Sequence, residues 1–325
     1  MDVKPGWGPI SCIIATTTAM AAGLTSSAYS GLAPPTAAVT QISGTSIGPA
    51  GPLTAQPAVA KRQPVTSQLP RKRRVFPGRI LVAYYGTAHS SALGVLGETD
   101  PQRMHRRLRD AARPFGAEGK EVKLVYELIV CIADATAGSD GSYSHLIPKS
   151  YVREYVRAAR RNNALLVMDF QPGRATFLSQ IRQFRWALKN PFVGVALDPE
   201  WRMGPGEVPG QTIGSVEAAE VNRVSRYVAS FTRHQGLRQK LFMLHQFRTD
   251  MVRNIARVQP HEELAMVQHV DGFGTQSQKL STYHTVARPR DFHMGFKLFY
   301  DEDTDLFRPR EVLDILPPVR FVSYQ

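Results

Sequence analysis

The sequence predicts an α/β fold, a closed (β/α)8 barrel that lacks its eighth helix and follows a disordered N-terminal tail. Three observations carry this expectation. Short β-rich runs recur from residue 79 onward, helix-patterned segments separate them, and about 250 residues are available, the usual size of such a barrel. The chain stops at Gln325, directly after the eighth run, so no eighth helix is predicted.

The eight runs are RILVAYY (79–85), VKLVYELIV (122–130), ALLVMDF (164–170), FVGVALD (192–198), KLFMLHQF (240–247), LAMVQHV (264–270), MGFKLFY (294–300) and VRFVSY (319–324). Branched and aromatic residues dominate them, as pleated, half-buried backbone requires. Several are apolar almost throughout, which fits a parallel sheet covered on both faces.

Between the runs, apolar residues recur at three- and four-residue spacing, the period of a helix with one buried face. The clearest cases are 101–115, 151–161, 175–189 and 216–234, with shorter ones at 250–258, 275–286 and 309–316. Asp100, Ser150 and Ser215 stand where N-caps are expected. An open doubly wound sheet is the rival fold, but neither GxGxxG nor a P-loop occurs.

Residues 1–30 read as an export signal: the apolar stretch ISCIIATTTAMAAGL (10–24) precedes small residues suited to cleavage. A low-complexity tail is the plainer alternative. Residues 31–75 are rich in Ala, Thr, Ser and Pro and hold too few large apolar side chains to offset ordering entropy. They read as a disordered linker ending in the basic run RKRR (71–74), and the barrel is expected over 76–325.

The formal net charge is +13, and residues 1–75 hold seven basic residues against one acid, about half of the excess. Such a tail favours anionic envelope polymers. The mildly basic remainder argues against a domain built to grip nucleic acid. No charge-free window of 18 residues is apolar enough to predict a membrane span. Cys12 and Cys131 predict neither a disulfide framework nor a cysteine metal site. A secreted or envelope-associated protein is expected.

Active sites of these barrels form at the C-terminal strand ends, and acids cluster there in this chain. Asp198 and Glu200 end the fourth run in GVALDPEW, and strand alternation puts them on one side, about 6.6 Å apart along the chain. Asp169 and Gln171 end the third run, one strand spacing of roughly 4.8 Å away. Crowded carboxylates raise one another's pKa, leaving one protonated and one ionised near neutrality. Glycoside hydrolysis needs that split.

Glu200, Asp198 and Asp169 are therefore the expected catalytic residues. Tyr84, Glu127, Gln171, Trp201, His245, Gln246, His269, Asp271 and Asp301 are the expected substrate-binding residues. Plainer readings stand beside them. Glu127 could form a core salt bridge with Lys297, the histidines could be hydrogen-bonded core residues, and Trp201 could pack the rim.

The loops 86–98, 132–148 and 201–214 would wall a groove, with Tyr84, Tyr143 and Trp201 lining it. No cofactor and no metal ligand set are expected, with magnesium on Asp169, Asp198 and Glu200 as the minor alternative. An HxH pair at the first strand, HExxH and GxSxG are all absent.

The motif Asp198-Pro-Glu200 resembles the DxE ending of the fourth strand in chitinase-like and lysozyme-like glycoside hydrolase barrels. That resemblance implies Glu200 as proton donor and Asp198 as its partner. The glycine- and aspartate-rich run preceding DxE in chitinases is missing, so substrate-assisted chemistry is not implied. The phrases ALGVLGE, MDFQPGRATFL and ALDPEWRMGPGEVPGQTIGSV are similar to secreted actinobacterial proteins, which implies export and a bacterial envelope setting. The expected function is a glycosidase-like hydrolase acting on a polysaccharide or cell-wall glycan. A catalytically inactive glycan-binding barrel and a carboxylate-bound metal-dependent hydrolase are the alternatives.

Overall fold

The computed structural model describes residues 70, 73–76, 78–116 and 119–325. The expected export signal and the linker up to residue 69 lie outside the described residues, as do Cys12, Arg71 and Lys72.

The barrel strands are β1 (Arg79–Gly86), β2 (Glu121–Ala133), β3 (Leu165–Phe170), β4 (Val193–Leu197), β5 (Lys240–His245), β6 (Leu264–Val270), β7 (His293–Leu298) and β8 (Val319–Tyr324). Each pairs in parallel with the next, and β8 pairs with β1, so the sheet closes on itself. Closure leaves no unpaired barrel edge. This is the TIM-barrel architecture, and all eight expected runs are its strands. One addition is the short strand Ser144–Leu146, antiparallel to the end of β2.

The helices are α1 (Pro101–Ala112), α2 (Lys149–Arg161), α3 (Phe177–Gln183), α4 (Arg185–Leu188), α5 (Ala218–His234), α6 (Gln276–Val286) and α7 (Pro309–Asp314). The expected helix over 175–189 is two pieces, broken at Phe184. The expected helix over 250–258 does not form. Asn254 there adopts a left-handed conformation between two 3-10 turns, and Val252–Arg253 instead pairs with Val216–Glu217.

Capping was only partly legible. The Asp100 carboxylate accepts from the N–H groups of Gln102 and Arg103, as expected of an N-cap before Pro101. Ser150 lies inside the first turn of α2, whose cap position is Pro148, and Ser215 precedes the Val216–Glu217 strand. Thr275 caps α6 through a capping box with Gln278.

On seven of the eight strands, alternate residues fall into two separate apolar clusters, which is the pleat of a closed sheet. Ile80, Val82 and Tyr84 join the cluster between strands and helices. Leu81, Ala83, Val125, Val167, Ala196, Leu241, Met243, Ala265, Val267 and Phe321 fill the barrel interior. Val75 and Phe76 belong to that interior cluster and pack beside the N-terminal end of β1. Arg73 anchors them, donating to the carbonyls of Gly236 and Leu237 at 2.8 and 2.7 Å. Arg73 and Val75, expected in the linker, are thus part of the barrel's packing.

Candidate active site

Continuing the inward parity of each strand by two residues changes the interior from apolar to polar. Ala83 is followed by Tyr85, Val125 by Glu127, Val167 by Asp169, Ala196 by Asp198, Met243 by His245, Val267 by His269 and Phe321 by Ser323. Lys297 holds the equivalent place on β7, one pleat beyond Gly295. The register pairs Tyr85 with Glu127, and His245 with His269, so this is one layer across the barrel.

The layer is a continuous network. The Tyr85 hydroxyl donates to Asp169 Oδ2 at 2.9 Å and accepts from Gln171 Nε2 at 3.3 Å. The other Asp169 oxygen accepts from the N–H of Phe170 at 2.8 Å. His245 sits between two carboxylates, Nδ1 2.9 Å from Asp271 Oδ2 and Nε2 3.1 Å from Glu127 Oε1. His269 Nδ1 lies 3.5 Å from that same Glu127 oxygen, and its Nε2 is 3.0 Å from the Ser323 hydroxyl.

Gly295 makes room for the His269 ring, since a Cβ there would stand 3.0 Å from His269 Cδ2. Lys297 does not reach Glu127. Its ammonium lies over the Tyr85 ring, 3.5 Å from the centroid, and no ion pair joins it to Glu127.

Buried polar atoms are almost always partnered in native proteins. Among the described residues, Glu127 Oε1 and Oε2, Asp198 Oδ1, Asp271 Oδ1, His245 Nε2 and His269 Nδ1 are buried without an aligned hydrogen bond. Five belong to this layer, Asp271 Oδ1 lies one pleat above it beside His245, and Trp186 Nε1 is the seventh such atom. Their concentration at one place marks a site rather than scattered packing defects.

The electrostatics separate the layer into two groups. Burial pushes the Glu127 carboxyl up, but His269 and His245 outweigh it and hold Glu127 below the usual carboxylate range. Burial disfavours a charged His245, yet Asp271 and Glu127 outweigh it and hold the ring's pKa well above its usual value. Burial also lowers His269 and is only partly offset by Glu127. Asp271 is opposed by burial, but its bond to His245 keeps it low.

The second group goes the other way. Burial raises Asp169 to about 6, with Glu127 adding to it and His245 opposing it. Burial likewise raises Asp198 well above its usual value, against His245 and with Asp169, Glu200 and Asp271. Glu200 is pushed up to about 7 by burial and the negative charge of Asp271, against Lys297 and His245. Acids whose pKa values are pushed in opposite directions thus meet at one end of the barrel.

Depth decides which of them substrate reaches. Glu127, Asp169, His245 and His269 are 0% exposed, whereas Asp198 is 2%, Gln171 6% and Asp271 7% exposed and Glu200 only half-buried. Glu200 and Asp198 are therefore the acids at the mouth, and Asp169 lies beneath them.

Their common facing does not come from strand alternation. β4 ends at Leu197, and Pro199–Trp201 is a 3-10 turn whose Trp201 N–H bonds to the Asp198 carbonyl at 3.2 Å. The 201–214 loop returns to close this turn, with the Gly214 N–H 2.7 Å from the Glu200 carbonyl. A Cβ at Gly214 would stand 2.6–2.7 Å from three carbonyl oxygens of that turn, so the close return needs glycine.

Three expected site residues lie elsewhere. Tyr84 has the outward parity and packs edge-on against Tyr324 with Arg107 near its face; its neighbour Tyr85 points inward. Gln246 follows inward-facing His245 by one residue and therefore turns outward, where it accepts from Gln268 at 2.7 Å. Asp301 is exposed. The buried acid of that loop is Asp303, which pairs with Lys279 at 3.0 Å and accepts from the N–H groups of Gly274 and Phe299.

Trp201 is half-buried at the mouth. Tyr143 is already faced by Arg174, 4.2 Å from its ring. Tyr85 and Ser323 are not among the expected site residues, although both share the parity of interior residues on their own strands.

Glu127, His245 and His269 offer ligand atoms that all lie within 4.8 Å of one another. Asp169, Asp198 and Glu200 form no such group among the described residues. Cys131 is free and buried. No described helix is long and apolar enough to cross a membrane.

No protein-family model matches this chain, and no curated protein matches it in sequence.

Proposed function

We propose that this barrel hydrolyses glycosidic bonds in a polysaccharide, with Glu200 as general acid and Asp198 as its partner carboxyl. One observation carries the reading. At the barrel mouth, a half-buried Glu200 raised to about 7 stands beside a buried Asp198 that has an unpartnered oxygen. An acid that donates to a leaving oxygen must hold its proton near neutral pH and still reach substrate. Glu200 meets both conditions.

Asp198 Oδ1 is free to accept from a sugar hydroxyl or a water, and it borders Asp169 and Tyr85, which exchange a hydrogen bond of their own. The ring of Trp201, directly after Glu200, supplies an apolar face for a sugar. The basic tail and the expected export signal favour an anionic envelope setting and a cell-wall glycan as substrate.

The test incubates the purified full chain with bacterial cell walls and follows the release of reducing ends by wild type and Glu200→Gln. Release by wild type that falls at least about 100-fold in the variant supports the reading. Release unchanged by the substitution removes Glu200 from the mechanism. Binding to the walls without release by wild type makes the chain a glycan-binding barrel instead.

A further inference from the structure

Beneath the two mouth acids lies a second constellation that acid–base hydrolysis does not use. We propose that Glu127, His245 and His269 bind one divalent transition-metal ion of the zinc class. The inference is independent of the glycosidase reading and stands or falls on the three side chains alone.

The geometry has the form of a ligand set. Glu127 Oε1 is 3.1 Å from His245 Nε2 and 3.5 Å from His269 Nδ1, and all three atoms fall within 4.8 Å of one another. Two ligands that are each about 2.1 Å from a tetrahedral metal stand roughly 3.4 Å apart. These three side chains are 0% exposed, and the converging atoms lack aligned hydrogen bonds. Simple core histidines would be expected to have satisfied those nitrogens within the protein.

The outer partners point the same way. A metal-binding imidazole commonly gives its second ring nitrogen to a carboxylate, hydroxyl or carbonyl, which fixes tautomer and orientation. His245 presents Nδ1 to Asp271 at 2.9 Å, leaving Nε2 for the centre. His269 presents Nε2 to the Ser323 hydroxyl at 3.0 Å, leaving Nδ1 for the centre. The two rings thus use opposite nitrogens, and each free nitrogen faces Glu127. Gly295 provides the space that keeps the His269 ring in place.

Two imidazoles and a carboxylate select zinc-like ions over magnesium or calcium, which prefer oxygen ligands. Asp169 Oδ1, 3.9 Å from His245 Nε2, is an oxygen close enough to serve as a fourth ligand. With these ligands sealed below the mouth, the ion would brace the barrel and set its interior field without touching substrate.

The test uses the full chain, stripped with a chelator and also refolded from denaturant with Zn2+, so that a sealed site is loaded. Zn2+ is titrated against a chromophoric chelator, and Co2+ serves as the spectroscopic probe. One equivalent per chain is expected, with X-ray absorption showing two imidazole ligands on the bound ion. Glu127→Gln and His269→Gln should weaken binding at least about 100-fold, and Ser323→Ala by about 10-fold.

His234→Gln, an exposed ring on α5, should leave binding unchanged. No stoichiometric Zn2+ on wild type, or undiminished affinity in folded His269→Gln, overturns the proposal. Where the variants do not fold, the imidazole count on wild type decides: two supports the site, and none or one sinks it.

Discussion

The ammonium of Lys297 stands 3.5 Å from the centre of the Tyr85 ring, two strands apart across the closing seam of the barrel. A cation over an aromatic face is attracted by the ring quadrupole, more strongly where water is excluded. From there its charge lowers the pKa of Asp169, Glu200 and Asp271. Lys297→Met keeps the chain length against Tyr85 and removes the charge. The alkaline limb of any hydrolytic activity, set by Glu200, should then move up by about 0.5–1 pH unit, a charge interaction of order 1 kcal/mol. A pH–rate profile of wild type against Lys297→Met checks this, and an unmoved limb contradicts it.

Glu200 acts protonated in the proposed reaction, so its activity limb has a definite sign. With the carboxyl raised to about 7, kcat/KM should be level below that pH and fall as pH rises through it. Glu200→Gln should leave a low residual rate that does not change with pH across that range. Reducing-end release measured from pH 5 to about pH 9 distinguishes the two profiles.

Stability at the same residue should depend on pH in the same direction as activity. A carboxyl whose folded pKa is raised, from 4.5 to about 7, favours the folded state most below pH 4.5. That contribution is lost as pH rises through about 7. Glu200→Gln should therefore stabilise the barrel by about 1–3 kcal/mol at pH 8, allowing for partial solvent screening. At pH 4 the effect should be small. Urea unfolding of chelator-treated protein at the two pH values measures the difference, and a larger gain at pH 4 would reverse the assigned sign.

Gly295 faces His269 across the β6–β7 pairing, so Gly295→Ala forces a methyl to 3.0 Å from His269 Cδ2 and 3.2 Å from its Cα. The ring is locked by Glu127 and Ser323 and has little room to yield. A loss of about 1–3 kcal/mol in unfolding free energy is expected from such overpacking. The same substitution at exposed Gly236 would not be a fair control, because its backbone is left-handed; Gly116→Ala is the better one.

Asp100 offers a cap test remote from the site. Its carboxylate accepts from two N–H groups at 3.0 Å each, and Asp100→Ala should cost about 1 kcal/mol. For a domain of this size, that corresponds to a Tm lower by about 2–4 °C. Calorimetry checks it.

The strands were legible because parallel barrel strands carry their own signature in Val, Ile, Leu and aromatic runs. The 250–258 segment has helical apolar spacing, but it folds as 3-10 turns and a short strand because its partner Val216–Glu217 lies far away in the chain. Tyr84 and Tyr85 end the same run, and only the inward parity of Leu81 and Ala83 shows that Tyr85 faces the interior. Asp301 and Asp303 share one loop, and nothing local reveals that Lys279 waits beneath it for Asp303.

The sequence by itself determined the number of strands, their order and the acids at their ends, since hydrophobic pattern and strand period act over a few residues. It also placed Asp198 and Glu200 at the mouth, although the shared facing comes from a 3-10 turn and not from the pleat. Only the closed sheet decided the interior layer. Closure brings Glu127 of β2 against His245 of β5 and His269 of β6, residues more than a hundred positions away in the chain. Their low-dielectric enclosure then divides the carboxyls into one group whose pKa histidine holds down and another whose pKa burial raises. No local spacing encodes that division, because burial and charge partners arise only when distant strands meet.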